Sequence, residues 1–229
     1  VQILSSNLVS NGDFSQEGVQ EVSNGSFSQE GSEEITNGDF ATDSNWSLTS
    51  SGDSSSNVII TNGSCQIISD GTLTGLTQTL VTTIGKTYKC TINISSINSV
   101  GGGIAISNGN VFASSIATFT TAEIHTFYFE ATSTSVSIKR ASGLGGSIDY
   151  TIDNVSVKEV GQDWALGTGW SIGEGKAERL VATSSSDLVQ TSVFSNLTST
   201  FRISFDIEAS AGSVRARLGQ TNLNYVGQG

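Results

Sequence analysis

The sequence contains no proline and no methionine, and it has one histidine and two cysteines among 229 residues. Average proline usage of about 5% would give roughly eleven, so proline supplies no rigid linker and no slow isomerisation step. Without a methionine, the chain is expected either to have lost an initiator residue or to be a piece of a longer product. The lone His125, with no nucleophile elbow, phosphate loop or metal-spaced His/Cys cluster, predicts that the protein is not an enzyme.

Basic residues are also scarce. Lys and Arg total 10 against 21 Asp and Glu, which gives a formal net charge of −11, and ten acidic residues precede the first basic one, Lys86. A phosphate backbone would be repelled by this half of the chain, so we expect no nucleic-acid partner. No apolar run approaches the roughly 20 residues of a spanning helix, so we expect no membrane insertion.

What the sequence does contain is a short repeat, Asn-Gly-x-Phe, at Asn11–Phe14, Asn24–Phe27 and Asn37–Phe40, spaced by 13 residues. These are the first, second and third repeats. Fixed internal periods mark arrays of structural modules. Only the third repeat opens a long module, which continues through Trp46 and ends in the run Ile152–Val160. An array of small β modules is typical of display, adhesion or assembly proteins.

The repeats divide the chain into three predicted parts. Residues 1–34 are short 13-residue repeats that form an assembly segment, residues 35–160 form one complete module, and residues 161–229 begin a second, incomplete module. We expect the first two repeats not to fold alone, because an isolated strand and turn are marginal in water. Phe14 and Phe27 are the predicted anchors by which they contact a neighbouring chain or the first module.

Period-two alternation of apolar and polar residues predicts strands almost throughout the chain. The dipeptides Asn62-Gly63, Asp70-Gly71 and Asn108-Gly109 predict hairpin turns, because both residue types tolerate positive φ. The predicted fold class is all-β: antiparallel β-sandwich modules of the jelly-roll type in tandem, preceded by short β repeats. The side chains predicted to face inward are Tyr88, Cys90, Ile92, Phe127, Phe129, Val136 and Ile138.

The closing strand changes phase. Ile148, Tyr150 and Ile152 share one face, whereas Val155 and Val157 fall on the opposite parity. One inserted residue near Asp153-Asn154, a β-bulge, would restore the phase; the alternative is a strand buried on both faces.

The two cysteines, Cys65 and Cys90, both fall on apolar faces. A disulfide between neighbouring strands is one interpretation. We favour the other, in which each is a buried free thiol that packs as a small apolar side chain.

The second module aligns with the first. Trp170–Ile172 answers Trp46–Leu48, and Leu188–Thr191 answers Leu76–Thr79. Nothing in the second module answers Ile124–Val160, so it predicts half a sandwich with an open apolar face. We expect the polypeptide to continue past Gly229, with strands from another chain or cover by the first module as alternatives. The side chains that need this cover are Phe201, Ile203, Phe205 and Ile207.

The repeat Asn37–Phe40, the following Trp46 and the closing run Ile152–Val160 resemble the carbohydrate-binding-module-like jelly rolls of the galactose-binding-like superfamily. More narrowly, they resemble tandem modules in structural and fibre proteins of tailed bacteriophages. In those proteins a similar closing run is often followed by a Trp-Gly-x-Gly-Trp-like opening, which Ala165–Trp170 fits. The resemblance covers residues 35–229 and is less specific for a ligand than for the fold, because function resides in sites rather than folds.

Members of this family often hold a structural calcium between the opening loop and an acidic residue of the closing strand. The resemblance places such a site at Asp39 and Asp153, with backbone near Asn37 and Gly38. However, Ala41 stands where calcium-binding relatives frequently have Glu, and calcium needs six to eight oxygens. We favour the alternative, in which Asn37-Gly38 makes a turn and Asp153 bonds to local backbone.

Exposed Trp and Tyr rings are the usual platforms for sugars. Tyr128, on the polar side of its strand, and Trp164, at the junction of the two modules, are the candidate carbohydrate-binding residues. The alternatives, which we favour, are a tyrosine at the solvent edge and a tryptophan that packs the junction. Trp46 and Trp170 occupy equivalent positions, which indicates a core role.

Together these features predict a non-enzymatic virion structural protein of a bacteriophage, a fibre, tail or capsid-decorating component acting in assembly and surface display, with host-glycan adhesion as a further role. The predicted partners are other virion chains, including copies of itself as a homo-oligomer, and cell-surface glycans; the predicted location is the virion surface. The alternative is a carbohydrate-binding module of a secreted bacterial protein.

Overall fold

The computed structural model describes residues 15–50, 54–79, 81–98, 101–180, 185–194, 198, 200–209, 213–218 and 221–222. The chain divides into two units, Val1–Val193 and Phe194–Gly229. The described residues form strands and turns and no helix, and accordingly none of them forms a helix long and apolar enough to cross a membrane. The strands are β1 (Glu30–Glu33), β2 (Ser47–Thr49), β3 (Asn57–Thr61), β4 (Ser64–Ser69), β5 (Gly75–Thr79), β6 (Thr87–Ile97), β7 (Ile104–Asn108), β8 (Ser115–Phe119), β9 (Ile124–Glu130), β10 (Ser135–Arg140), β11 (Ile148–Val160), β12 (Ala165–Leu166), β13 (Trp170–Gly173), β14 (Lys176–Arg179), β15 (Leu188–Val189), β16 (Arg217–Leu218) and β17 (Thr221–Asn222).

The larger unit is built on two antiparallel sheets, which confirms the predicted all-β sandwich. The first sheet has the order β3-β4-β11-β6-β9, with β1 added on β11, and the second has the order β2-β5-β10-β7-β8. The short strands after the closing strand form two-stranded pairs, β12 with β15 and β13 with β14. The three-part division predicted from the sequence stays a prediction.

The core lies between the two sheets. Of the seven side chains predicted to face inward, six are buried and Phe127 is partly buried against them. Cys65 and Cys90 are free and buried, as predicted. Burial raises the pKa of each thiol to about 12, because an apolar environment disfavours the charged thiolate.

The predicted bulge in the closing strand is confirmed. Asp153 pairs with Asn93, and the next paired residue, Val155, pairs with Ile92. The residue between them, Asn154, has a positive φ of 48°. The extra residue returns the apolar side chains of the second half of β11 to the core face.

One of the predicted hairpins is confirmed and one is wrong. Asn62-Gly63 joins β3 to its partner β4 with positive φ at both residues. Asp70-Gly71 is not a hairpin, because the chain there leaves the first sheet and enters the second as β5. The Asp70 carboxylate instead accepts hydrogen bonds from Ser56 and Thr72, which lower the pKa of Asp70 to about 2.

The third predicted turn, at Asn108-Gly109, opens the connection between the paired strands β7 and β8. Asn108 is buried and its side chain ties this connection to the loop before β10. Its Oδ1 accepts from the backbone N–H groups of Thr132 and Ser133 at 2.6 and 2.8 Å, and its Nδ2 donates to the carbonyl of Ser135 at 2.9 Å.

In the smaller unit, the alternation of Phe201 to Ile207 predicts a strand. The structure shows no strand over residues 200–209, so this prediction is wrong. Ile203, Phe205 and Ile207 are each nearly half exposed. A strand requires a partner for its N–H and C=O groups, and periodicity alone does not supply one.

Candidate functional site: the Asn-Gly-x-Phe turns and their tryptophans

The third repeat forms a tight turn. Asn37 and Phe40 both adopt left-handed backbone, with φ of 54° and 52°, and the Phe40 N–H donates to the Asn37 carbonyl at 3.2 Å. The Asn37 side-chain oxygen accepts from the N–H of Thr42 at 3.2 Å, and its nitrogen donates to the Thr42 and Ser44 carbonyls. Asparagine suits this position because it tolerates left-handed backbone and bonds to nearby backbone groups.

This turn holds Trp46 in the core. The Trp46 indole N–H donates to the Asn37 carbonyl at 3.1 Å, and the ring packs on Phe40 with centroids 5.6 Å apart. Phe40 is 0% and Trp46 8% exposed, so the pair is part of the sandwich core. The core role predicted for Trp46 is therefore confirmed.

Gly38 brings the same turn against the closing strand. Its carbonyl accepts from the Val155 N–H at 2.9 Å, directly after the bulge. A Cβ at position 38 would lie 2.1 Å from the Val155 carbonyl oxygen, so no larger residue fits without moving the strand.

The second repeat forms the same geometry on a different tryptophan. Asn24 and Phe27 have φ of 45° and 55°, and the Phe27 N–H donates to the Asn24 carbonyl at 3.1 Å. The Asn24 side-chain oxygen accepts from the N–H of Gln29, again five residues along, at 3.0 Å. The Trp164 indole N–H donates to the Asn24 carbonyl at 3.1 Å, and its ring lies 5.2 Å from that of Phe27.

A glutamine side chain forms two hydrogen bonds with the backbone of the residue before each of these asparagines. Gln78 accepts from the Thr36 N–H and donates to the Thr36 carbonyl, both at 2.8 Å. Gln190 makes the same reciprocal pair with Ser23, at 2.9 and 2.8 Å. Gln78 and Gln190 are the residues that the sequence alignment of the two modules paired. The second repeat therefore contacts residues after the closing strand as the third repeat contacts the sandwich.

The tryptophans correct that alignment at one point. The sequence paired Trp170 with Trp46, but Trp170 is half-buried and donates its indole N–H to the carbonyl of Ser186 at 3.2 Å. By its contacts, Trp164 is the counterpart of Trp46. The sequence alignment missed this because Trp46 stands nine residues after Asn37, whereas Trp164 stands 140 residues after Asn24.

Strand β1 fixes the second repeat beside the closing strand. Glu30 and Glu33 of β1 pair with Val160 and Lys158 of β11. The Glu30 carboxylate contacts the ammonium groups of Lys89 at 2.6 Å and Lys158 at 3.2 Å, and these hydrogen bonds, to Lys89 first, lower the pKa of Glu30.

Glu33 continues the pairing with its side chain. One carboxylate oxygen accepts from the Val157 N–H at 2.8 Å, and the other accepts from the Ser156 hydroxyl at 2.6 Å. A side chain thereby completes the edge of the sheet where the register of β1 shifts.

Of the two predicted assembly anchors, Phe14 lies outside the described residues. Phe27 is half-buried and contacts Trp164 of its own chain. Its role between chains stays a prediction.

The two candidate carbohydrate-binding aromatics lie in different surroundings. Trp164 is engaged by the second repeat. One face of the Tyr128 ring lies against Gly173 of β13, where an added Cβ would be 3.1 Å from the ring atoms Cγ and Cδ2. Both rings are half-buried, so the chain itself takes part of each surface that a sugar would stack on.

Several of the predicted calcium ligands already make hydrogen bonds, and the site at Asp39 and Asp153 stays a prediction. The carbonyls of Asn37 and Gly38 already accept hydrogen bonds from Trp46 and Val155, and one Asp39 carboxylate oxygen accepts from the Ala41 N–H at 3.2 Å. Within the described ranges, no three His, Cys, Asp or Glu side chains converge on one point. Calcium needs six to eight oxygens, with carboxylates supplying much of the affinity.

Sequence reasoning found the repeats but not the residues that bind them. The signal was present in the segments Leu76–Thr79 and Leu188–Thr191, each with Gln in third place. Its meaning was missed because a glutamine in a strand is ordinarily a solvent-facing residue, and its reciprocal bond to backbone depends on where the repeat lies.

No protein-family model and no curated protein sequence matches the chain. Solved structures do align with it. A CBM4 structure is 19% identical over 60% of this chain and 98% of its own length, with a TM-score of 0.33. The CBM22-1 xylan-binding domain of Paenibacillus barcinonensis is 12% identical over 58% of this chain and 97% of its own length, with a TM-score of 0.35.

A viral structure aligns over a similar part of the chain. The enzymatically active domain of tailspike protein 4 from bacteriophage CBA120 is 13% identical over 56% of this chain and 21% of its own length, with a TM-score of 0.34. At such TM-scores these likenesses carry no weight for function, so any functional conclusion depends on the residues of this chain.

Proposed function

We propose that this chain is a non-enzymatic virion structural protein of a bacteriophage, a fibre, tail or capsid-decorating component that acts in assembly and surface display. The observation that carries the proposal is the docking of the second repeat on Trp164. A turn that recurs in the N-terminal segment closes on a residue 140 positions downstream, beyond the end of the complete sandwich. Such a segment serves to join modules.

The chemistry of the joint suits an assembly element. The Asn24 carbonyl accepts from the Trp164 indole, and the Ser23 N–H donates to Gln190. A ring pair between Phe27 and Trp164 and an ion pair at Glu30 complete the joint. These groups bind and orient a segment of chain, and none of them is a nucleophile or an acid–base pair placed for catalysis. The thiols of Cys65 and Cys90, with pKa raised to about 12, are buried and unreactive.

Localisation on the source particle tests this proposal. An antibody raised against the full chain should label purified virions in immunogold electron microscopy, and the chain should co-purify with them through a density gradient. Recovery of the chain only in the particle-free supernatant would contradict a virion role and favour the secreted module.

A second candidate function, glycan adhesion, is favoured by a loop on the second sheet. Residues 109–114 fold back over the outer face of that sheet, where Lys139 and Ser107 donate to the Ala113 carbonyl. Val111 is buried beneath the loop, whereas Phe112 is 77% exposed. An exposed aromatic ring is a surface on which a sugar can stack.

A matched pair of variants tests this adhesion role. Binding of the full chain to immobilised cell-surface polysaccharide should fall in the Phe112→Ala variant and persist in Ile84→Ala, which removes another exposed apolar side chain. Equal binding by both variants would exclude Phe112 as the platform.

A further inference from the structure

We propose that Trp164, Gln162 and Gln190 form a receptor, here called the turn receptor, for turns of sequence Ser-Asn-Gly-x-Phe, and that in the assembly a second copy of this chain supplies the turn. This inference rests on the proposed assembly function and identifies its contact site. The second repeat and its flanking residues, 22–31, show how such a turn binds.

The contacts that the second repeat makes with the turn receptor come from one short stretch of sequence, residues 22–31. Asn24 offers its carbonyl to the Trp164 indole and its amide to the Gln162 carbonyl, at 3.1 and 3.3 Å. Ser23 bonds to Gln190 through backbone alone, at 2.9 and 2.8 Å. Gly31 passes so close to Gln162 that an added Cβ would lie 2.7 Å from the side-chain nitrogen.

The first repeat carries the same recognition residues. Residues 9–18 match residues 22–31 at nine of ten positions, and the one difference replaces Ser26 by Asp13. Ser26 forms a hydrogen bond with Ser28, within the second repeat segment, at 2.7 Å. The recognition residues and their counterparts in the first repeat are Ser23 with Ser10, Asn24 with Asn11, Phe27 with Phe14, Glu30 with Glu17 and Gly31 with Gly18.

Each chain carries two matching repeats, whereas the described residues contain one turn receptor. The third repeat is buried on Trp46, and Trp170 donates its indole N–H to Ser186. Among the described residues, this leaves Trp164 as the one tryptophan available to the two matching repeats. A chain that keeps one repeat in its own receptor carries a second repeat of the same specificity.

The turn receptor is built for exchange rather than for folding. Phe27 and Trp164 are half-buried and neither belongs to the core cluster, so releasing the second repeat removes no member of that cluster. The first repeat lies 13 residues farther from the module, which extends its reach by up to about 45 Å. In a lone chain the second repeat occupies the receptor, because its tether gives it a high effective concentration there. Once an assembly holds several copies together, the repeats of neighbouring chains compete with it for the same receptor.

The experiment pairs a chain that can only accept with a chain that can only donate. The acceptor is the Phe14→Ala/Phe27→Ala variant, which disables both matching repeats and keeps the receptor. The donor is Trp164→Ala, which keeps both repeats and removes the indole. Binding of labelled donor to acceptor is followed by fluorescence anisotropy and analytical ultracentrifugation.

We expect each matching repeat of the donor to bind one acceptor with a dissociation constant on the order of 10–100 μM, the range of a small, partly polar interface. The matched control acceptor, Phe14→Ala/Phe27→Ala/Trp164→Ala, should bind at least about tenfold more weakly. Equal binding to both acceptors would place the contact elsewhere and overturn the inference.

Synthetic peptides provide a second arm that does not need the donor to fold. Peptides of residues 7–18 and 20–31 should each bind the acceptor, and their Phe14→Ala and Phe27→Ala forms should not. Wild-type chain should bind either peptide more weakly than the acceptor does, because its own second repeat occupies the receptor. No peptide binding at roughly 1 mM acceptor would overturn the inference. Virion labelling would be unaffected by that failure, so the assembly role is judged separately.

Discussion

The third and second repeats make the same bonds to a tryptophan in very different surroundings. The Trp46 indole reaches an asparagine carbonyl nine residues back, and the Trp164 indole reaches one 140 residues back, at 3.1 Å in both cases. Phe40 is fully buried, whereas Phe27 is half-buried. Phe40 and Trp46 are part of the sandwich core, whereas Phe27 and Trp164 hold the second repeat against residues that follow the closing strand.

This difference separates what a motif encodes locally from what its surroundings add. The left-handed Asn and Phe and the asparagine bond to residue i+5 recur in both turns, so the Asn-Gly-x-Phe sequence determines them. Burial is not encoded in the motif. It depends on the sheet that lies behind the turn, and burial supplies most of the free energy.

Truncating the phenylalanines of the two turns should reveal the contrast most strongly. Phe40→Ala is expected to lower the free energy of unfolding by about 3–5 kcal/mol, because it leaves a cavity in the core. Phe27→Ala should cost less, about 1–2 kcal/mol, because the half-buried ring loses one aromatic pair and only part of a full burial. Urea unfolding monitored by circular dichroism measures both, and similar losses would abolish the distinction.

The glycines of the two turns form a second matched pair. Gly38→Ala places a Cβ 2.1 Å from the Val155 carbonyl and should cost about 1–3 kcal/mol, because the closing strand must move. Gly25→Ala should be nearly neutral, since its nearest neighbour, a methyl of Val22, would be 3.6 Å away. Thermal unfolding of the two variants gives the comparison, and a destabilised Gly25→Ala would show that the second repeat is packed as tightly as the third.

Replacing the two glutamines, Gln78 and Gln190, by alanine should show a smaller difference in stability. Gln78 is buried, and Gln78→Ala leaves the N–H and carbonyl of Thr36 without partners, for an expected loss of about 1–3 kcal/mol. The Gln190 bonds to Ser23 are exposed, so Gln190→Ala should change global stability by less than about 0.5 kcal/mol. A larger effect at Gln190 in chemical denaturation would mean that the second repeat contributes to the core.

Lowering the pH should release the second repeat before the sandwich unfolds. We expect this to be the smallest of the four predicted effects on stability. Lys89 and Lys158 lower the pKa of Glu30, so the ion pairs stabilise the docked repeat above the ordinary carboxyl pKa and are lost as pH falls through the lowered value. Trp164 emission should therefore shift to the red as the pH falls below the ordinary range of a glutamate carboxyl, while the circular dichroism is retained. Glu30→Gln should remove this pH dependence, and a shift that persists in the variant would assign it to another carboxylate.

Most of the sandwich could be predicted from periodicity, because each strand that buries one face must alternate. The phase break at Asp153 even located the bulge, since one inserted residue is the simplest way to return Val155 and Val157 to the core. The same reasoning was wrong for Phe201 to Ile207, where the alternation is clear but no strand forms. Periodicity records which face a strand would bury, and pairing depends on the rest of the fold.

The joint between the second repeat and Trp164 was less predictable for a related reason. The recurrence of Asn-Gly-x-Phe was visible in the sequence, but its partners Trp164 and Gln190 lie far along the chain and outside any local pattern. The hairpin predicted at Asp70-Gly71 was wrong for the same reason, because the dipeptide does not indicate that the next strand belongs to the other sheet. Local chemistry could be predicted from residue types, whereas its long-range partners required the fold.

Hydrogen exchange of the indole N–H groups of Trp46 and Trp164, followed by NMR in the unmodified chain, tests the central claim most directly. Each group donates to an asparagine carbonyl at 3.1 Å, so the comparison holds the hydrogen bond constant and varies only the surroundings. The Trp46 indole should exchange only through global unfolding, and the Trp164 indole should exchange orders of magnitude faster through local release of the second repeat. Equal protection of the two indoles would show that both turns are parts of one cooperative core and would contradict the distinction between them.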